Sequence, residues 1–316
     1  MKEVGTGVIE WLLGEDEPSV RYFTLVHLLD RPVNLPEVRK ARAAISNSAT
    51  VRAIIAAQHP EGYWAKPDST YWPKYTSTIW QLIILSELGL TKTEPAVQKG
   101  VAYMQEAIAA IGAPGAYEQG EVIWCYSGNV VRFLNLFGYD NEPATRAALA
   151  RLMEAIEEHP GWGCRHNDDE AAACLWGAVK VLRALATVPS EQRTPRIERV
   201  IADAAERLLS TDYVAASASA GTTENGWVSD WLRFGFPSFY ESDLLEALLA
   251  CCELGCGSDP RAKALWGLVE SKRQANGRWR LENSFNGRMH TDIEALGQPS
   301  KWITLRALRV QKYVCS

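Results

Sequence analysis

The sequence predicts an all-α protein, an α6/α6 toroid (barrel) of six helical hairpins in a single α/α-toroid domain spanning residues 1–316. Three observations predict it. Six segments are apolar nearly all round, as buried helices are. Between them lie amphipathic segments, five of which carry a proline near their start, where its fixed φ suits the first helical turn. The loops that lead into the apolar segments are long and aromatic, and those that leave them are short.

In chain order, residues 4–13 read as a short amphipathic helix and residues 18–29 (PSVRYFTLVHLL) as the first apolar one. Residues 35–58 form an outer helix with Pro36, and residues 75–88 (YTSTIWQLIILSEL) a buried one stopped by Gly89. Residues 93–111 carry Pro95 and precede the apolar segment 122–137, which ends at Gly138. Residues 142–158 carry Pro143 and precede the apolar segment 170–185. Residues 194–209 carry Pro195, and residues 238–254 (SFYESDLLEALLACCEL) run up to Gly255. Residues 259–274, with Pro260, and the apolar segment 299–310 complete the set. Glycine directly after a helix takes the left-handed cap conformation without a Cβ penalty. Twelve helices alternating outer and inner close most economically as a ring, with an open solenoid of helical pairs as the alternative.

The 316 residues are 47% hydrophobic and 22% charged, with a formal net charge of −5. Lys and Arg are scattered, which argues against nucleic acid, since phosphate binding needs a clustered positive face. No apolar run approaches the ~18 residues of a membrane span. The opening MKEVGTGVIEWLL is too short and too acidic for a signal peptide. Seven cysteines at irregular spacing read as reduced thiols, so a cytoplasmic location is expected.

Residues 161–185 carry the densest polar chemistry. An aromatic turn, Gly161-Trp162-Gly163, leads into Cys164, Arg165, His166, Asn167, Asp168, Asp169 and Glu170. One reading is structural: Asn167 and Glu170 approximate a capping box, and Asp168 and Asp169 complement a helix dipole. The other is chemical, with acids at the mouth of a cavity. The twelve tryptophans favour an aromatic pocket. Its expected walls are Trp72, Tyr75, Trp80, Trp124, Tyr126, Trp231, Tyr240 and Trp302. Asp243, Arg288 and Lys301 are its expected polar groups, and it should open at the N-terminal ends of the buried helices.

Gln58…Gly62-Tyr63-Trp64 and Gln274-Ala275-Asn276-Gly277-Arg278-Trp279 precede buried helices, with His159-Pro160-Gly161-Trp162 as a degenerate copy. These resemble the QW-type repeats of the terpenoid cyclase and protein prenyltransferase toroids, in which Gln and Trp tie the outer helix to the following turn. Pro73-Lys74-Tyr75-Thr76-Ser77-Thr78 and residues 299–308 look like bacterial single-toroid proteins of the squalene cyclase-like or prenyltransferase-like kind. The resemblance covers nearly the whole chain.

Class II terpene cyclases use Asp-x-Asp-Asp followed by Thr-Ala. The string His166-Asn167-Asp168-Asp169-Glu170-Ala171 keeps the paired acids and the Ala, and departs at His166 and Glu170. The resemblance implies Asp168 as the proton donor that opens a cyclisation of an apolar, isoprenoid-like substrate, with Asp169 or His166 tuning it. Prenyltransferases bind zinc through Asp-x-Cys and a distant His. Here Ala172 stands where Cys174 would need a carboxylate two residues before it, which leaves Cys125, Cys164 and His166 as the remaining donors. No cofactor is therefore expected, zinc included. Two alternatives stay open. One is a carboxylate-pair glycosidase or lyase, setting Asp168 or Asp169 against Asp230, Asp243 or Asp292. The other is a non-catalytic toroid that holds a lipid or peptide.

Overall fold

The computed structural model describes residues 5–111, 122–164, 172–218, 221 and 229–315. The described residues form fourteen α-helices. They are α1 (Thr6–Leu12), α2 (Pro18–Phe23), α3 (Pro36–Ala44), α4 (Ala49–Ala56), α5 (Thr78–Glu87), α6 (Pro95–Ile111) and α7 (Trp124–Phe137). The series continues with α8 (Pro143–Glu158), α9 (Leu175–Leu185), α10 (Pro195–Leu209), α11 (Tyr213–Ala218), α12 (Leu244–Glu253), α13 (Pro260–Glu270) and α14 (Lys301–Val314). The one regular strand pair among them is β1 (Trp279–Arg280) against β2 (Pro299–Ser300), antiparallel, with Trp279 opposite Ser300. The fold class is all-α, as expected.

The chain separates into two compact units. The first comprises Met1–Ala56, Leu209–Ser238 and Ser242–Ser316, and the second Ala57–Leu208 with Phe239–Glu241.

In the second unit α7 packs against α5, α8 and α9, and α6 lies on α5. Every residue of α5 is buried. Helix α8 buries one stripe, including Ala148, Leu152 and Ile156, and exposes the rest. Helices α7 and α9 approach closely because glycines face the contact. A Cβ on Gly128 would lie 2.8 Å from the Lys180 carbonyl carbon, and one on Gly177 would lie 2.5 Å from Trp124 Cβ. At the far end of α5, Glu87 accepts two bonds from Arg183, at 2.8 and 3.0 Å, and one from Arg132 Nε at 3.0 Å. This buried cluster joins three helices.

In the first unit α12, α13 and α14 pack together, and α14 also meets α2 and the π-helical turn Thr24–Leu28. The two glutamine–tryptophan turns share a backbone path, with Gln274 in the place of His59 and Arg273 in the place of Gln58: His59 N donates to Tyr63 O at 2.8 Å, and Arg273 Nε to Gly277 O at 3.3 Å. In one, the Gln58 side chain donates to Gly62 O and Ala96 O, both at 2.9 Å, and Trp64 is wholly buried. In the other, Gln274 N donates to Arg278 O at 2.9 Å, and the buried Trp279 indole donates to Val269 O at 2.8 Å. The degenerate copy also buries its ring: Trp162 donates to Asp203 Oδ2 at 2.6 Å.

The helix starts differ from the expected ones, for local reasons. Within the expected segment 170–185, α9 begins at Leu175, where Cys174 Sγ accepts from Gly177 N. Cys174 is thus the cap of α9; Asn167 and Glu170, the expected capping pair, lie outside the described residues. Segment 238–254 begins at Leu244, because the Asp243 carboxylate caps α12 through Glu246 N. Segment 75–88 begins at Thr78, since Tyr75 holds φ +68 and Ser77 is extended. Segment 18–29 changes from α to π geometry at Thr24. The outer segment 35–58 breaks at Ser48, which is extended and accepts from Val51 N to restart the helix as α4. Gly89, Gly138 and Gly255 all have the expected positive φ.

Candidate functional site

The start of α5 builds an aromatic cluster within the second unit. Thr70 O accepts from Ser77 Oγ at 3.1 Å and from Ile79 N at 3.0 Å. The Trp80 indole donates to Tyr71 O at 2.8 Å, and the Gln81 amide to Tyr75 O at 2.9 Å. Side chains of α5 therefore pin the loop that precedes the helix. Asn129 on α7 donates to Phe239 O at 2.8 Å and holds the short 239–241 segment against the same helices.

Rings converge there. Phe239 lies 5.2 Å from both Tyr75 and Trp80, and Tyr71 lies 4.7 Å from Trp80. Tyr240 stands 6.1 Å from Trp80 and 6.4 Å from Trp176. These are ordinary aromatic pair distances, worth about 0.5–1.5 kcal/mol each beyond burial. The Tyr75 and Tyr240 hydroxyls are 3.2 Å apart, and Tyr75 OH donates to the fully buried Glu241 at 3.5 Å. Burial, followed by the Glu241 charge and the Tyr75 hydrogen bond, pushes the Tyr240 phenol well above its usual range. Tyr126 adds a hydroxyl 3.5 Å from Thr70 Oγ1. At the rim, Trp72 is 47% exposed. Lys74 Nζ lies 5.3 Å from the Trp72 ring centroid and 5.4 Å from that of Tyr240. Tyr75, Trp80 and Phe239 are buried against one another, while Tyr71, Tyr240 and Trp72 keep accessible surface; exposed ring faces favour positive charge near them.

Of the residues expected from the sequence, Trp72, Tyr75, Trp80, Tyr126 and Tyr240 meet here. Trp124 belongs to another group: its indole donates to Gly163 O at 3.0 Å, and its ring lies 5.9 Å from Trp162. Packing against Gly177 explains that placement. His166, Asp168, Asp169, Asn167 and Glu170 lie outside the described residues.

The remaining expected residues belong to the first unit. Trp302 stacks on Phe236 at 4.1 Å, and Arg306 covers Phe236 at 4.9 Å. Trp231 is buried against Tyr213, 5.2 Å away. Asp243 accepts from Gly235 N at 2.9 Å and from Glu246 N at 2.8 Å. Burial, then Glu246, pushes its carboxyl up to about 6, against the pull of those amides and of Arg306. Lys301 is buried beside Asp16, 5.7 Å from the Trp11 ring, and its amide donates to Glu294 at 2.6 Å. Arg288 is exposed.

Lys74 and Glu17 were not among the expected site residues. Burial, then the charges of Glu294 and Asp16, raises the Glu17 carboxyl to about 7, with Lys301 opposing. Lys74 was visible beside Trp72 in the Trp-Pro-Lys-Tyr string, but its second ring, Tyr240, comes from far along the chain.

Cys125, Cys164 and Cys174 lie near one another, with a hydrogen bond between the last two. Burial pushes the Cys125 thiol up to about 12, and the Cys164 bond raises Cys174 further. Among the described residues, no group of three His, Cys, Asp or Glu is arranged to hold a metal ion. His166, the third zinc donor considered with Cys125 and Cys164, lies outside the described residues. No helix among the described residues is long and apolar enough to cross a membrane.

No protein-family model matches the sequence, and no curated protein does. Solved structures do match. A protein from Actinoplanes shares 16% identity over 95% of this chain and 90% of that one, with a TM-score of 0.44. The type II terpene cyclase MstE from Scytonema, in its apo form, shares 14% identity over 87% of this chain and 98% of that one, with a TM-score of 0.31. A single-substitution variant of MstE in complex with its substrate, geranylgeranyl dihydroxybenzoate, matches at 13% identity over 87% and 97%, also with a TM-score of 0.31.

Proposed function

We propose that the protein is a single α/α-toroid enzyme of the terpenoid cyclase type. It acts on an apolar, isoprenoid-like substrate by protonation-initiated cyclisation. Asp168 is the proton donor, and Asp169 and His166 set its protonation. The observation that carries the reading is the ring cluster at the start of α5. Tyr71 and Tyr240 are part-exposed over the buried Tyr75, Trp80 and Phe239, giving aromatic faces with negative potential backed by Glu241. Protonating an alkene creates a carbocation, and such faces stabilise it where water is excluded; each well-placed face contributes ~0.5–2 kcal/mol. The proton must come from a carboxyl kept neutral, which a second carboxylate beside it favours. The test is incubation with linear isoprenoids and their diphosphates, with products read by mass spectrometry. Asp168→Asn should abolish cyclisation and leave substrate binding in place. Unchanged turnover in that variant removes Asp168 from the mechanism.

A second reading, a carboxylate-pair hydrolase or lyase, is favoured by one observation: Glu17 is held near pH 7 beside Glu294. Such enzymes need one protonated and one charged acid. Loss of glycoside hydrolysis in Glu17→Gln would support it; absence of any hydrolysis in the unaltered protein excludes it.

A further inference from the structure

We propose that the slot between Trp72 and Tyr240 is a binding site for a ligand's ammonium group, and that the Lys74 side chain is its internal occupant. The proposal rests on this cluster being the ligand site, not on the reaction assigned to it. Lys74 Nζ is within reach of both ring faces, at 5.3 and 5.4 Å from their centroids. A cation within about 6 Å of an aromatic centroid is drawn to the ring quadrupole. Two rings from distant parts of the chain that share one cation form a two-walled slot.

The main chain behind one wall and the hydroxyl of the other are anchored, and the occupant rides on a long stem. The Trp72 amide donates to Ser69 Oγ at 2.8 Å, and the Tyr240 hydroxyl is tied to that of Tyr75 at 3.2 Å. Lys74 sits half-buried on a flexible four-carbon chain. Trp72, at 47% exposure, opens the slot to solvent once that stem swings out. Glu241 behind the two tyrosines adds negative potential, which favours a cation over a neutral group. The fitting ligand chemistry is a compact alkylammonium. A quaternary one suits the slot well, since it needs ring faces and no hydrogen-bond acceptor.

Binding is then a competition with Lys74. The test is titration of the full-length protein with tetramethylammonium chloride against matched sodium chloride, read by tryptophan fluorescence and calorimetry. Lys74→Met, which keeps the buried stem, should bind about fivefold more tightly than the unaltered protein. Adding Trp72→Ala should abolish that gain. Equal or weaker binding in Lys74→Met, or a double variant that binds as the single one does, overturns the proposal. A second measurement needs no variant: saturating tetramethylammonium should speed reductive methylation of Lys74, read by peptide mass. An unchanged rate also overturns it. A protein that cyclises isoprenoids but shows neither effect keeps the reaction and loses this site; one that shows both effects without cyclisation keeps the site alone.

Discussion

The Trp64 backbone amide donates to the hydroxyl of Thr78, at 3.1 Å, on the first turn of the helix that follows it. Trp279 repeats this bond with Thr304 of α14, also at 3.1 Å. In both, a wholly buried indole ends the glutamine–tryptophan turn and a buried threonine receives it. The amide has left water, so its partner is obligatory. Thr78→Val keeps the shape and removes the acceptor. Urea unfolding should show a loss of about 1–3 kcal/mol, the cost of an unpaired buried donor. Thr78→Ser should recover most of it; a Val variant as stable as the original would refute the assignment.

Glu87 is the shared acceptor of Arg132 and Arg183, with side-chain exposures of 8%, 13% and 6%. Removing one member of a buried ion cluster leaves charge without compensation. Glu87→Ala should therefore cost about 3–5 kcal/mol. Arg196 and Glu157 form an equally short pair at 2.7 Å, but both are about a third exposed or more. Glu157→Ala should change stability by less than about 1 kcal/mol. Comparable losses in the two variants, measured by denaturant midpoint, would contradict this ordering.

These contrasts mark what was legible in the sequence. The first glutamine–tryptophan turn was, because Gln58, Gly62 and Trp64 act within one short stretch, whereas in the second Arg273 and not Gln274 bonds the glycine carbonyl. Buried and half-exposed helices were, because apolar periodicity reports burial directly. Helix starts were not, since Asp243 and Cys174 act as caps through contacts that periodicity does not encode. The aromatic site was half legible. Ring-rich loops pointed to one group of rings; the structure brings Tyr75, Trp80 and Tyr240 together and places Trp124 on Gly177 and Trp302 on Phe236. Glu17 was invisible because its raised affinity for protons comes from burial and from Glu294, far along the chain.

Glu17 and Asp243 predict an unusual pH dependence. Their carboxyls sit at about 7 and about 6, against ordinary values of 4.5 and 3.8. Both are raised, so the folded chain holds these protons more tightly than the unfolded chain. Where the folded state binds more protons, stability falls as pH rises. The Glu17 contribution should be present below about pH 4.5 and lost by about pH 7. The loss is at most on the order of 3 kcal/mol. Thermal melts of Glu17→Gln should show a flatter decline over this window, with the Asp243 part left between about 3.8 and 6. An unchanged slope would mean that Glu17 does not titrate there.

Tyr240 separates scaffold from chemistry in the aromatic cluster. Its ring packs 6.1 Å from Trp80 and 6.4 Å from Trp176, while its hydroxyl meets that of Tyr75 at 3.2 Å. Tyr240→Phe keeps the ring and deletes the hydroxyl. Tyr75 can still donate to Glu241, so no buried donor is stranded. Stability should change by about 1 kcal/mol or less, the net worth of one hydrogen bond. Ring faces do the electrostatic work in the proposed cyclisation, so turnover should fall by no more than about tenfold. Tyr240→Leu removes the face and should lower turnover much further, with KM for the isoprenoid rising as well. A Phe variant as inactive as the Leu variant would move the chemistry from the ring to the hydroxyl, and Tyr240 would then act as a proton carrier with Glu241 behind it.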